Sequence, residues 1–128
     1  MSPYAAYAEQ AATTASPAQL VLMLYDGALA RIEAARVALE EDPRDLELAN
    51  TSLGKAQAII RELQVTLDHE RGGQVATNLA SLYSFCQQRL VHANVNKAAE
   101  PLAEVVDVLQ PLRDTWHEAC VTNAAVAG

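Results

Sequence analysis

From Ser16 onward the apolar positions recur in steps of three and four, the spacing that gathers side chains on one face of an α-helix. The first run has a marked start. Ser16 can cap the opening turn with its hydroxyl, Pro17 suits the first helical position because its missing N–H would have gone unpaired, and Gln19 completes a capping box. Val21, Tyr25, Ala28, Ile32, Ala35 and Leu39 then form one seam toward a core. A second stripe lies beside it, Leu20, Met23, Gly27, Ala30 and Ala34, large at the start and small further on. Glycine inside a helix costs about 1 kcal/mol relative to alanine, so Gly27 calls for a packing reason. Two readings fit the surplus: a central helix buried on both sides, or a docking surface for a partner helix.

Glu40-Glu41-Asp42-Pro43 ends the first pattern, and a second helix is predicted to start near Pro43 or Arg44, with Asp45 and Glu47 in its first turn. Its core face reads Leu46, Ala49, Leu53, Ala56, Ile60, Leu63 and Leu67; Ile59 sits just off this seam and could serve the core edge or a partner. Gly72-Gly73 is expected to close it, since glycine takes the left-handed geometry that finishes helices. Helix three offers Val75, Leu79, Leu82, Cys86, Leu90 and Ala93 on one face with Tyr83 beside it, and fades from Asn94 to Lys97. A fourth helix begins between Ala98 and Pro101 with the seam Leu102, Val105, Leu109, Leu112, Trp116 and Ala119. Pro111 interrupts its hydrogen bonding at a cost of about 3 kcal/mol unless the chain bends, and the unbroken apolar register predicts a kink rather than two helices. The expected fold is all-α: an antiparallel up-down four-helix bundle over residues 16–122, a mobile or weakly docked N-terminal arm over 1–15, and a frayed end over 123–128. In the arm, Tyr4 and Tyr7 stand one helical turn apart and are bulkier than a segment that stays free would carry.

The 128 residues make one domain, large enough to bury about two-thirds of its unfolded surface in a single core. Nine basic residues against sixteen acidic ones give a net charge of −7, which argues against a nucleic-acid partner and against an anionic-membrane surface. Cys86 and Cys120 fall on apolar faces of separate helices without a C-x-x-C, as buried reduced thiols do. With no charged start followed by an apolar run, and no apolar stretch of about 20 residues, membrane insertion is not expected and the cytoplasm is the expected compartment.

Little in the chain points to chemistry. A carboxylate-bridged metal pair in a bundle needs Glu-x-x-His on two helices, and the nearest match, Asp114 with His117, occurs once. No metal site, cofactor or catalytic residue is therefore expected. His69, His92 and His117 lie outside the seams; an exposed histidine could carry phosphate in a signalling relay, but His92 lacks basic and glycine surroundings. There is no activated nucleophile and no phosphate-cradling glycine loop, so an enzyme is disfavoured. A helical phosphotransfer domain and a bundle that only homodimerises remain as alternatives.

Tyr4 and Tyr7, then Thr14-Ala15-Ser16-Pro17 and Leu20-Val21-Leu22-Met23-Leu24-Tyr25-Asp26-Gly27, resemble the opening of the FliS family of flagellar export chaperones. The likeness continues through Lys55-Ala56-Gln57, Glu62-Leu63, Leu67-Asp68, Gly72-Gly73, Asn78-Leu79, Leu82-Tyr83, Arg89-Leu90-Val91, Ala93-Asn94 and Leu112-Arg113-Asp114 with Trp116. Pro101, Pro111 and the alanine-rich tail depart from it. The resemblance implies a cytosolic chaperone that binds the disordered C-terminal segment of flagellin, prevents early polymerisation and helps present subunits to the export gate of the flagellar type III system. On that basis Leu20, Met23, Leu24, Gly27, Ala30, Ala34 and Ile59 are the expected client groove, and Tyr4 and Tyr7 the part of the arm that covers it when no client is bound. The expected oligomeric state is a monomer or a weak homodimer.

Overall fold

The computed structural model describes the backbone of residues 16–127 and the side chains of 16–122. Ser16 opens the first helix as its neighbours dictate: its hydroxyl accepts from the Gln19 backbone N–H at 3.2 Å, and its own N–H donates to Gln19 Oε1 at 2.8 Å. Helix α1 then runs Pro17–Glu40, α2 Leu46–Val65, α3 His69–Asn96 and α4 Glu100–Ala127, with no strand among the described residues. The arm expected over 1–15, with Tyr4 and Tyr7, and the side chains of the frayed end expected over 123–128 lie outside the described residues.

Short connections force each helix to run back along the one before it. The cross-links record this: Asn94 Nδ2 donates to Asn50 Oδ1 at 3.0 Å and Gln87 Nε2 to the Gln57 carbonyl at 2.9 Å, so α3 descends in number as α2 ascends. Arg89 Nε meets Glu104 Oε2 at 2.8 Å between α3 and α4, and Arg113 Nε meets Asp26 Oδ1 at 2.7 Å between α4 and α1. The ring of four helices is thereby closed, each in contact with two neighbours, α1 most extensively with α2. That pair comes close because the buried residues between them include Ala28, Ala35 and Ala38 on one helix and Ala49 and Ala56 on the other, which add little thickness. Tyr25, Ile32, Leu53, Ile60, Leu63 and Leu109 are among the larger side chains that fill the interior. The bundle is the antiparallel four-helix architecture that the periodicity predicts.

The structure departs from the sequence reading at four places. Helix α2 starts at Leu46, two to three positions later than expected, because Asp45 is its cap: the carboxylate accepts from Leu48 N–H at 3.0 Å. Leu46 is accordingly 42% exposed instead of facing the core. The α2–α3 reversal falls at 66–68, not at the glycine pair, since Asp68 caps α3 by accepting from Arg71 N–H at 3.1 Å. In α3 the buried line is Ala76, Tyr83, Cys86, Leu90 and Ala93, which leaves Val75 and Leu82 exposed; in α4, Ala119 is exposed. As the unbroken apolar register predicts, helix α4 passes through Pro111 as one element rather than two. Pro111 and Asp107 are both exposed, so the carbonyl that loses its intrahelical partner lies toward water.

Candidate functional site

At the end of the bundle where α1 and α3 begin and α2 and α4 finish, the reversal leaves space. Asp68 caps the first turn of α3, but Gly73 sits at φ 50° and ψ −124°, and the helix changes course there. An L-residue is strained in that region, so the bend belongs to glycine. Gly72 answers a different need: a Cβ placed on it would stand 2.8 Å from Ala76 Cβ. Beside this bend lies an apolar cavity of about 340 Å³, walled by Val21 of α1, Leu67 of the reversal, Val75, Leu79 and Tyr83 of α3, and Trp116 of α4. Asp68 and Arg71, 3.7 Å apart and both exposed, stand at its mouth. Thr66 also lines it, and apart from these polar groups its wall is aliphatic and aromatic, a lining suited to apolar surface.

Behind the wall, Tyr25 of α1 and Tyr83 of α3 meet across the middle of the bundle, their hydroxyl oxygens 2.5 Å apart and their ring centres 6.4 Å apart. Burial raises both phenols above their ordinary value; on Tyr25 the hydrogen bonds from Tyr83 and then Trp116 work against that rise. Burial also pushes the Cys86 thiol up to about 12 from 9.0. A group whose pKa is raised by folding stabilises the fold below its unfolded value and loses that contribution as pH climbs toward the folded value. The unfolding free energy read from urea titrations should therefore hold steady to neutral pH and fall from about pH 9 upward, by up to about 1.4 kcal/mol per pH unit for each such group. Cys86→Ala should remove the part of the fall that begins near 9, leaving the tyrosine part that begins near 10; an unchanged alkaline slope in this variant would contradict the assignment.

Of the residues singled out from the sequence, Leu20, Met23 and Leu24 are half-buried on the first two turns of α1, flanking Val21 of the cavity wall. Gly27 is buried, Ala34 is half-buried and Ala30 is exposed. Ile59 is half-buried and, like Leu24, packs against the core. The cavity itself draws on Val21, Leu67, Leu79 and Trp116, which the periodicity assigns to core seams, and on Val75, expected there and found 65% exposed. A signal for this was present: an aspartate three positions before Arg71, ahead of the glycine pair, marks a helix start that places those glycines inside α3. His69, His92 and His117 are exposed, and no group of three or more possible metal ligands exists among the described residues. No helix among the described residues is long and apolar enough to cross a membrane.

Sequence comparison places this geometry in context. Residues 1–123 match the family model described as flagellar protein FliS. The flagellar secretion chaperone FliS of Bacillus subtilis (strain 168) is 40% identical over 118 residues, covering 92% of this chain and 86% of its own length. Its namesake in Salmonella typhimurium (strain LT2) is 39% identical over 111 residues, 86% of this chain and 81% of that one. The protein of the same name from Campylobacter jejuni (strain 81116) is 36% identical over 115 residues, 90% and 88% of the two chains.

Proposed function

Because this chain belongs to the FliS family of flagellar secretion chaperones, we propose that it works in the cytoplasm, without catalysis, as an export chaperone for flagellin. It binds the disordered C-terminal segment of flagellin, keeps subunits from polymerising early and assists their delivery to the flagellar type III export apparatus. The observation that carries this reading is the apolar cavity beside Gly73, whose α1 wall is Val21; the half-buried Leu20, Met23 and Leu24 lie on the same two turns of that helix. An amphipathic client segment lays its apolar face into a groove of that kind. Ordering such a segment costs about 2–5 kcal/mol, which burial of about 80–200 Å² of apolar area offsets at about 25 cal/mol per Å². Leu20, Met23 and Leu24 supply the large contacts, the small side chains of Ala30 and Ala34 let the client backbone approach, and the half-buried Ile59 of α2 adds to this surface, whereas Gly27, expected there, is buried and does not meet the client. In the absence of client, the arm with Tyr4 and Tyr7 covers the strip, since an open apolar strip invites self-association.

Isothermal titration of the full chain with a synthetic peptide of the flagellin C-terminal segment tests the capture. Saturable binding with gain of helix in the peptide is expected, and Ala30→Glu and Ala34→Glu should weaken it without altering the helical content of the chaperone. Deleting residues 1–10 should tighten binding or produce oligomers by sedimentation. No binding by the intact chain would end the capture reading, whereas an unaltered affinity and an unaltered oligomeric state in the truncated chain would end only the covering role.

A further inference from the structure

The first turn of α3 stands between two spaces. On one side Asp68, Arg71 and Gly72 border the apolar cavity. On the other, His69 borders a more open trough of about 450 Å³ that runs along α3 past the exposed Thr77, Ser81, Phe85 and Gln88. Little ties the turn down between them. Leu67 packs against the core and Ala76 is buried, but of residues 68–75 only Gly72 is less than exposed. The bonds of the turn are its own: Gly72 N–H donates to the Asp68 carbonyl at 2.8 Å, and the Asp68 carboxylate takes the Arg71 N–H. Among the described residues, 68–72 make no hydrogen bond or ion pair to α1, α2 or α4. A segment with internal bonds and few buried apolar contacts moves as a unit at small cost. The joint is Gly73, whose φ of 50° with ψ of −124° is a conformation that glycine enters and leaves freely and an L-residue essentially does not adopt.

We propose that residues 68–72 are a lid on the client cavity, hinged at Gly73, which swings toward the outer trough to admit the apolar face of the client and then returns over it. This deepens the capture reading above and rests on it. The motion has room, because every residue bordering the trough belongs to α3 itself and no other helix has to give way. It breaks no bond to the rest of the bundle and, with Leu67 remaining on the core, uncovers little apolar surface. Closing over a seated segment keeps water from its apolar face and slows its departure.

Trp116, the one tryptophan of the chain, borders the cavity and reports binding by its fluorescence. Stopped-flow mixing of the full chain with the flagellin C-terminal peptide gives association and dissociation rates for the wild type and two variants. Gly73→Ala excludes the present φ, and Gly72→Ala places a Cβ 2.8 Å from Ala76 Cβ and drives the turn away from it, so each moves the lid off its closed position by a different route. Both variants should bind the peptide about three- to tenfold faster, and release it faster as well. A fixed wall would give faster release alone, so an unchanged association rate in a folded variant overturns the lid and leaves flagellin capture standing. Amide relaxation dispersion on the wild-type chain decides the matter where a substitution impairs folding. Exchange at residues 69–73 that saturating peptide quenches is the expected result, and flat profiles in the free chain overturn the hinge. Failure of the wild-type chain to bind the peptide overturns the capture reading, and the lid's role with it.

Discussion

Val75→Glu is expected to weaken binding of the flagellin C-terminal peptide by about ten- to a hundredfold, the equivalent of about 1.4–2.8 kcal/mol. Val75 borders the apolar cavity yet is 65% exposed in the free chain, so a glutamate carboxylate there reaches water until a client arrives. The fold should be untouched: circular dichroism and the urea midpoint of the variant should match those of the wild-type chain. Binding then removes water from a carboxylate that gains no partner, in place of burying an isopropyl group. An unchanged dissociation constant in a folded Val75→Glu chain would place the client elsewhere, and the Ala30→Glu and Ala34→Glu variants would show whether the remaining stripe of α1 holds it alone.

Tyr25→Ala should cost about 3–5 kcal/mol of stability, a large share of the roughly 5–15 kcal/mol that holds a domain of this size. Three losses coincide. The ring is wholly buried at the centre of the bundle, its hydroxyl ties α1 to α3 across the diagonal, and Tyr83 is left without the partner that shares its buried hydroxyl. Tyr25→Phe separates these, since it keeps the ring and removes only the hydroxyl, and should cost about 1–3 kcal/mol. Urea denaturation of both variants decides the matter. A Tyr25→Ala midpoint within error of wild type would mean that the packing around Tyr25 relaxes into the space, as a loosely packed interior would.

The stabilising tyrosine pair and the proposed client cavity thus share one small region. Tyr83 is wall to the cavity and partner to Tyr25; Trp116 borders the cavity and acts on the same phenol. Arg113, one turn before Trp116 on α4, is held to Asp26 of α1 at 2.7 Å and fixes the edge of α4 next to it. The cavity is therefore bounded on its α1 and α4 sides by packed elements, whereas on the third side the first turn of α3 is joined to the rest through Gly73.

Much of this was legible in the residues alone, for reasons that are local. The start of α1 is written in Ser16, Pro17 and Gln19 because a capping box needs only neighbours three apart. The core face of α2 at Ala49, Leu53, Ala56, Ile60 and Leu63 follows from its spacing, because a regular helix turns contiguous sequence into one surface. The same holds for Leu102, Val105 and Leu109 of α4, and four such faces joined by short connections leave little choice but an antiparallel bundle.

Tertiary packing decided the remainder. Helix α3 carries aliphatic side chains on two adjoining lines, through Val75 and Leu82 or through Ala76 and Tyr83, and its own periodicity does not select between them. The choice is made by Tyr25, 58 positions earlier in the chain, whose hydroxyl needs the one that Tyr83 offers. Gly72-Gly73 could end one helix or bend the next, and the selection of the bend rests on Asp68 finding the Arg71 N–H. The cavity exists only once that bend stands beside Val21 and Trp116, residues that sequence spacing places in ordinary seams. Sequence by itself determined which segments are helical and, for three of them, the inward face, since hydrogen bonding and burial repeat along contiguous residues. The rotation of α3, the joint at Gly73 and the space between them were settled only when four surfaces of unequal thickness had to close on one another.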